Sequence, residues 1–166
     1  MKNYRIDYAN LNNYSIADCG LFGKAMEAAI TGRRCKSAGK VDWTHNRVRF
    51  EVKTGAGELG DANGARLLKG SAYVIYCPVP IADADGYIDL TKQEAFVLTR
   101  EAFLASLAEA GAIREKTSTA GKRKVTIQTF WNRKQNKPHG ALLYRLLDAL
   151  YENCECTLEE MIEEEA

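Results

Sequence analysis

The segment Val48-Arg49-Phe50-Glu51-Val52-Lys53-Thr54 constrains the chain most, because its polar and apolar residues alternate without a break. Side chains on a strand alternate faces, so Val48, Phe50 and Val52 point one way while Arg49, Glu51 and Lys53 point the other. Lys40-Val41-Asp42-Trp43-Thr44 alternates in the same manner a few residues earlier. His45-Asn46 between the two runs tolerates the positive φ of a tight turn, so the pair reads as a β-hairpin. A two-residue loop at His45-Asn46 sets Asp42 opposite Arg49 and beside Glu51. A four-residue loop from His45 to Val48 sets Asp42 directly opposite Glu51. Either loop gathers both carboxylates on one face. A three-residue loop would separate them, but it would also split the apolar face of Val41, Trp43, Val48, Phe50 and Val52.

Two carboxylates at such a distance repel each other unless a cation lies between them. Hard oxygen ligands with open positions suit Mg²⁺ or Mn²⁺, which keep several waters and meet phosphate oxygens directly. Such an ion acidifies a bound water and neutralises charge on phosphorus. Lys53, two residues from Glu51 on the same face, can orient that water or stabilise the developing charge. Acid, acid and lysine also occur on hairpins that merely face solvent, so the surrounding elements have to decide between the two readings.

Those elements read as a mixed α/β domain. A helix is predicted over Ile16 to Ile30, with Ser15 as N-cap, Asp18 three residues later, Leu21, Phe22, Ala25, Met26, Ala29 and Ile30 at helical spacing, and Thr31-Gly32 at its end. After the hairpin, Thr54-Gly55-Ala56-Gly57 breaks the strand and a short helix is expected from Glu58 to Lys69, with Glu58 and Asp61 as loop or helix-start acids. Ala72 to Cys77 is an apolar run stopped by Pro78 and Pro80, as in a buried central strand. Ala95 to Leu98 reads as a further strand, and Thr99 caps a helix that ends at Gly111. Val125 to Phe130 alternates as a late strand, and Gly140 to about Cys154 forms an amphipathic helix. A length of 166 residues suits one domain, with an acidic C-terminal tail from about residue 155.

This arrangement resembles the PD-(D/E)XK nuclease superfamily. The motif acid stands in Lys40-Val41-Asp42, and Glu51-Val52-Lys53 stands in Arg49-Phe50-Glu51-Val52-Lys53-Thr54-Gly55. Val41 replaces the proline of the motif. Glu27, in Gly23-Lys24-Ala25-Met26-Glu27-Ala28-Ala29, occupies the place of the glutamate on the preceding helix, and Ala72 to Cys77 that of the following apolar strand. The resemblance covers roughly Gly20 to Pro78. It implies a restriction-endonuclease-like mixed β-sheet flanked by helices, with an αβββαβ core. It also implies a Mg²⁺- or Mn²⁺-dependent endonuclease acting on DNA. In that reading Asp42, Glu51 and Lys53 are catalytic, and Glu27, Asp42, Glu51 and the backbone carbonyl of Val52 hold the metal. Cutting both strands takes two sites or two events, which a homodimer would supply. The alternative from another class is a non-catalytic nucleic-acid-binding or assembly module that keeps the fold.

The formal net charge is only +1, but the charge is unevenly placed. Residues 112–140 hold eight basic residues and one acid, whereas residues 146–166 hold eight acids and no Lys or Arg. The first stretch suggests a surface for a polyanion, and solvated surface is the plain alternative. Lys122, Arg123 and Lys124, then Trp131, Arg133 and Lys134, combine basic residues with an aromatic, as backbone-tracking nucleic-acid surfaces do. Arg49, Arg66 and Lys69 are further candidates for phosphate contact. His139 reads as a helix-start residue and His45 as part of the turn. The five cysteines include no Cys-x-x-Cys pair, so reduced thiols in a cytoplasmic protein are the simplest expectation. No apolar stretch approaches the length needed to cross a bilayer.

Overall fold

A computed structural model of the chain describes residues 5–7, 11, 14–32, 43–61, 68, 70–117, 119–121, 123–128, 131–132, 137–138 and 140–163. A short strand, β1 (Ile6–Asp7), precedes two helices, α1 (Ile16–Cys19) and α2 (Phe22–Thr31). The Ser15 hydroxyl oxygen accepts from the Asp18 amide at 3.0 Å and so caps α1 as its sequence predicts. The single helix expected from Ile16 to Ile30 is nevertheless divided. Gly20, at φ 78°, closes α1 in the left-handed region, and α2 restarts after Leu21.

The hairpin follows as β2 (Trp43–His45) and β3 (Val48–Thr54). Trp43 pairs with Phe50, Thr44 with Arg49, and His45 with Val48. The turn is therefore Asn46-Arg47, one residue later than expected, and both residues have positive φ (49° and 67°). That is the backbone demand of the tight turns that match strand twist. The register is the one that the longer of the two expected even loops would give. Residues 33–42, and with them Asp42, lie outside the described residues.

The chain continues through β4 (Glu58–Asp61), β5 (Tyr73–Cys77), a 3₁₀ turn at Leu90–Lys92, β6 (Phe96–Thr99) and α3 (Arg100–Glu109). Then come β7 (Ile113–Thr117), β8 (Arg123–Ile127), the two-residue strands β9 (Trp131–Asn132) and β10 (Lys137–Pro138), and α4 (Gly140–Asn153). The chain closes with β11 (Cys156–Thr157), α5 (Leu158–Met161) and β12 (Ile162–Glu163). The helix expected to start at Glu58 is instead a strand over its first four residues, because β4 pairs with β8. Tertiary pairing outweighs local preference there.

The main sheet has five strands in the order β11-β6-β5-β3-β2. Only β3 and β5 run parallel among its pairs; the others are antiparallel. Its two faces build two cores. Phe50, Val52, Ile75 and Val97 meet Met26 and Ala29 of α2 on one face. Val74, Tyr76, Phe96 and Leu98 meet Phe103 of α3 and Leu146 of α4 on the other. Each such fully buried side chain contributes about 1.5–3 kcal/mol relative to exposure. A second sheet, β4-β8-β7, adds Leu59, Val125 and Ile127 to the latter core.

The acidic C-terminal stretch is folded into this body. Leu158, Met161 and Ile162 are buried while Glu159 and Glu160 face solvent. Thr157 and Glu160 cap α5 reciprocally. Cys77, Cys154 and Cys156 are free thiols, whereas Cys19, expected to be reduced, is disulfide-bonded. No helix among the described residues is long and apolar enough to cross a membrane.

Candidate active site

Alternation along β3 turns Phe50 and Val52 into the core beneath α2 and turns Glu51 and Lys53 to the opposite face. Register fixes that second face: Glu51 lies beside Val74 and Lys53 beside Tyr76 on β5. The Lys53 Nζ stands 3.6 Å from Oε1 of Glu51. Their side chains are 28% and 19% exposed. Both charges are therefore partly shielded from water yet still reachable by a ligand. The pair is worth at most about 1 kcal/mol to stability at this exposure, so its position at a strand end is of more consequence than its energy.

The end of β3 is held firmly. The Gly55 amide donates to the Cys77 carbonyl at 2.9 Å, and the Tyr76 hydroxyl donates to the Gly55 carbonyl at 2.7 Å. Burial, with a smaller contribution from Cys77, raises the Tyr76 pKa well above its ordinary value, so the phenol keeps the proton it donates. The Gly57 carbonyl accepts from the Ile127 amide at 2.8 Å, which ties the turn after β3 to the second sheet.

Backbone polar groups alternate sides along a strand. The Arg49 carbonyl accepts from the Ala72 amide at 3.0 Å, on the β5 side. Two and four residues on, Glu51 and Lys53 direct their backbone groups to the same side. Val52 directs its carbonyl to the other side, where β2 lies. The Val52 carbonyl and the Glu51 carboxylate thus flank the portion of β3 beyond its last described pairing with β2, at Phe50. These are hard oxygen donors of the type a Mg²⁺ or Mn²⁺ ion takes. Among the described residues no three of His, Cys, Asp and Glu gather closely enough to hold a metal ion; Asp42, the further acid expected, lies outside them.

A cavity of about 480 Å³ opens at this strand end. Lys24 and Glu27 of α2 line it together with Val52, Lys53 and Thr54 of β3. Ile127 from the second sheet closes it. Val52 and Ile127 belong to different cores, so the cavity straddles the outer edge of β3. Glu27 and Lys53, named from sequence, therefore come together in one cavity, with Glu51 joined through its ion pair to Lys53. The chain matches no family model, no curated protein and no solved structure.

The remaining sequence candidates divide. Arg49 is exposed and shares the face of Glu51 and Lys53. Arg123 pairs with Glu115 across β7 and β8. Lys124 belongs to the opposite face of β8 from the buried Val125 and Ile127. Trp131 lies in β9, paired with Pro138 of β10. Arg66, Lys69, Lys122, Arg133, Lys134 and His139 lie outside the described residues. Sequence reading assigned Leu21 and Phe22 to the apolar stripe of the helix. Both are exposed and line the cavity instead. Gly23 and Lys24 were likewise passed over. The signal available was a glycine in the first turn of a helix beside a lysine and upstream of Glu27.

Proposed function

We propose that this chain is a metal-dependent nuclease hydrolysing phosphodiester bonds in DNA, on a restriction-endonuclease-like sheet of the PD-(D/E)XK type. The observation that carries the reading is the Glu51–Lys53 pair at the end of β3, opening on a cavity that Glu27 also lines. An acid-x-lysine on one face of the strand, with a second acid from a preceding helix lining the cavity that the lysine enters, supplies oxygen ligands and a cation of the kinds that phosphodiester hydrolysis uses. In that reading the carboxylates of Glu27, Glu51 and Asp42, with the Val52 carbonyl, hold the ion. A bound Mg²⁺ or Mn²⁺ supplies positive charge to a phosphodiester and lowers the pKa of a water.

Lys53 has its own part in this chemistry. Its ammonium stands 3.6 Å from the Glu51 carboxylate near the strand end. There it orients the attacking water and stabilises charge developing on a phosphate oxygen. Tyr76 and Gly55 contribute rigidity at the point where the chain turns away, and Arg49 on the same face offers a contact to the backbone of the substrate. Cleavage of both strands of a duplex would then require a homodimer or two successive events.

The test is incubation of the full chain with DNA substrates in Mg²⁺ or Mn²⁺, beside Glu51→Ala and Lys53→Ala. Metal-dependent cleavage abolished by both substitutions supports the reading. Activity that survives both removes this site from consideration. Binding without cleavage, with steep salt dependence and no metal requirement, would point instead to a non-catalytic nucleic-acid-binding module.

A further inference from the structure

The cavity at the end of β3 carries a chemical asymmetry that hydrolysis of a phosphate does not use. Its charged groups, Lys24, Glu27 and Lys53, share it with the side chains of Leu21 and Phe22. Leu21 is 65% and Phe22 40% exposed, and both stand among the five large apolar side chains most exposed in the described residues. Local helix energetics do not account for Leu21. It occupies the N-cap of α2 without a side-chain cap hydrogen bond, a place where Ser, Thr, Asn or Asp would serve better. The core does not account for either residue, since α2 buries Ala25, Met26 and Ala29 on the sheet. An aromatic and an aliphatic side chain left in water beside two ammonium groups match the two halves of a nucleotide. The base takes the apolar wall and the phosphate takes the cations.

We propose that this cavity seats one unstacked nucleobase of a single-stranded nucleic-acid segment. Phe22 stacks on the base, Leu21 packs at its edge, and Lys24 with Lys53 receives the adjoining phosphate. The volume of about 480 Å³ lies in the range of sites that enclose a small ligand, which suits a single nucleotide. A paired duplex keeps its bases stacked, so the preferred substrate is a single strand or a frayed strand end. The proposal deepens the nuclease reading and rests on it for the identity of the ligand as nucleic acid. Glu27 sets a condition on the test, because without a bound cation its carboxylate opposes the phosphate. Binding is therefore to be measured with Ca²⁺ present.

The experiment titrates the full chain in Ca²⁺ with an oligonucleotide carrying 2-aminopurine, single-stranded and as the matched duplex. The single strand is expected to bind at least about tenfold more tightly, with a change in 2-aminopurine fluorescence as the base stacks on Phe22. Phe22→Ala should weaken single-strand binding about tenfold, the order of one lost base–aromatic stack, and Phe22→Tyr should retain it. Lys24→Glu should weaken binding by a salt-dependent factor. Equal or tighter binding of duplex, or single-strand binding unchanged by Phe22→Ala, overturns the proposal. The two readings fail separately. Cleavage of duplex unaffected by Phe22→Ala keeps the nuclease and removes the base pocket. Phe22-dependent binding without cleavage in any metal keeps the pocket and removes the nuclease. An absence of nucleic-acid binding removes both.

Discussion

A Cβ built on Gly23 would stand 2.8 Å from Oγ1 of Thr54, so the first turn of α2 and the last residue of β3 approach as closely as a glycine permits. Both residues line the cavity that Glu27 and Lys53 also line. Gly23→Ala gains about 1 kcal/mol of helix propensity against an overpacking cost of about 1–3 kcal/mol. The melting temperature should therefore fall by no more than about 8 °C. Cleavage should fall by at least about tenfold, since small displacements of positioned groups cost rate steeply. Thr54→Ala in the same chain gives the new methyl room, so the double variant should recover activity beyond the sum of the two single effects. Strictly additive losses in a double-mutant cycle would show that the contact does not position the site.

The ion pair between Glu51 and Lys53 separates chemistry from stability. At 28% and 19% side-chain exposure it is screened, so Lys53→Ala should change unfolding free energy by less than about 1 kcal/mol in urea. The same substitution should reduce metal-dependent cleavage at least about a hundredfold. A large loss of stability accompanied by little loss of cleavage would make the pair structural.

Tyr76→Phe tests the strand end from the other side. The buried hydroxyl donates to the Gly55 carbonyl at 2.7 Å, and its removal leaves that oxygen without the bond. We expect a cost of about 1–2 kcal/mol, read as a lower urea midpoint with an unchanged slope. Because Gly55 lies two residues past Lys53, kcat should fall while KM stays within about twofold.

Alkaline pH should weaken the fold through its cysteines. Burial pushes the Cys77 thiol up from 9.0 to about 12 and that of Cys156 up to about 11. Both thiols keep their protons in the folded chain at pH values where the unfolded chain has lost them. The stability each contributes is thus fully present below about pH 9 and is lost as pH rises towards 11 or 12. Thermal melts from pH 7 to 10.5 should be level at first and fall above pH 9, and Cys77→Ala should fall less steeply. An unchanged alkaline slope in that variant would exclude Cys77 as a source. At pH 8 a thiol reagent should modify Cys154 and Cys156, both partly exposed, ahead of Cys77.

The hairpin was legible because its information is local: a period of two in Val48 to Thr54 fixes which side chains share a face, and Asn46 tolerates positive φ. Caps were legible for the same reason, at Ser15 and at Thr99, whose hydroxyl accepts from the Ala102 amide. The elements that escaped depend on partners far along the chain. Ile113-Arg114-Glu115-Lys116-Thr117 has almost no apolar signal and is a strand because β8 pairs along its whole length. Glu58–Asp61 is a strand for the same reason. Gly20 was overlooked because apolar spacing continues through it, although its left-handed backbone divides the helix. At the site, Glu51, Lys53 and Glu27 were readable as residue types in a spacing. Leu21 and Phe22 were not, because periodicity counts apolar residues without knowing which the core leaves outside.

That limit is sharpest at the C-terminus, where acidic composition concealed an integral part of the fold. Ile162 pairs with Ile6, and the Leu158 amide donates to the Ala95 carbonyl at 2.9 Å. Leu158 is fully buried, and Met161 and Ile162 are 1% and 4% exposed. A solvated tail would be removable without cost. Here, deleting residues 156–166 strips three buried side chains from the core beneath α2, a loss of about 5–9 kcal/mol by transfer alone. That is comparable to the whole stability of an ordinary domain. The truncated chain should therefore fail to give a cooperative thermal transition. The capping box supplies a finer measure. Thr157→Ala should cost about 1 kcal/mol, because Thr157 and Glu160 satisfy the start of α5 reciprocally. A truncation at residue 155 that melted like the full chain would overturn this placement of α5 and return the acidic segment to solvent.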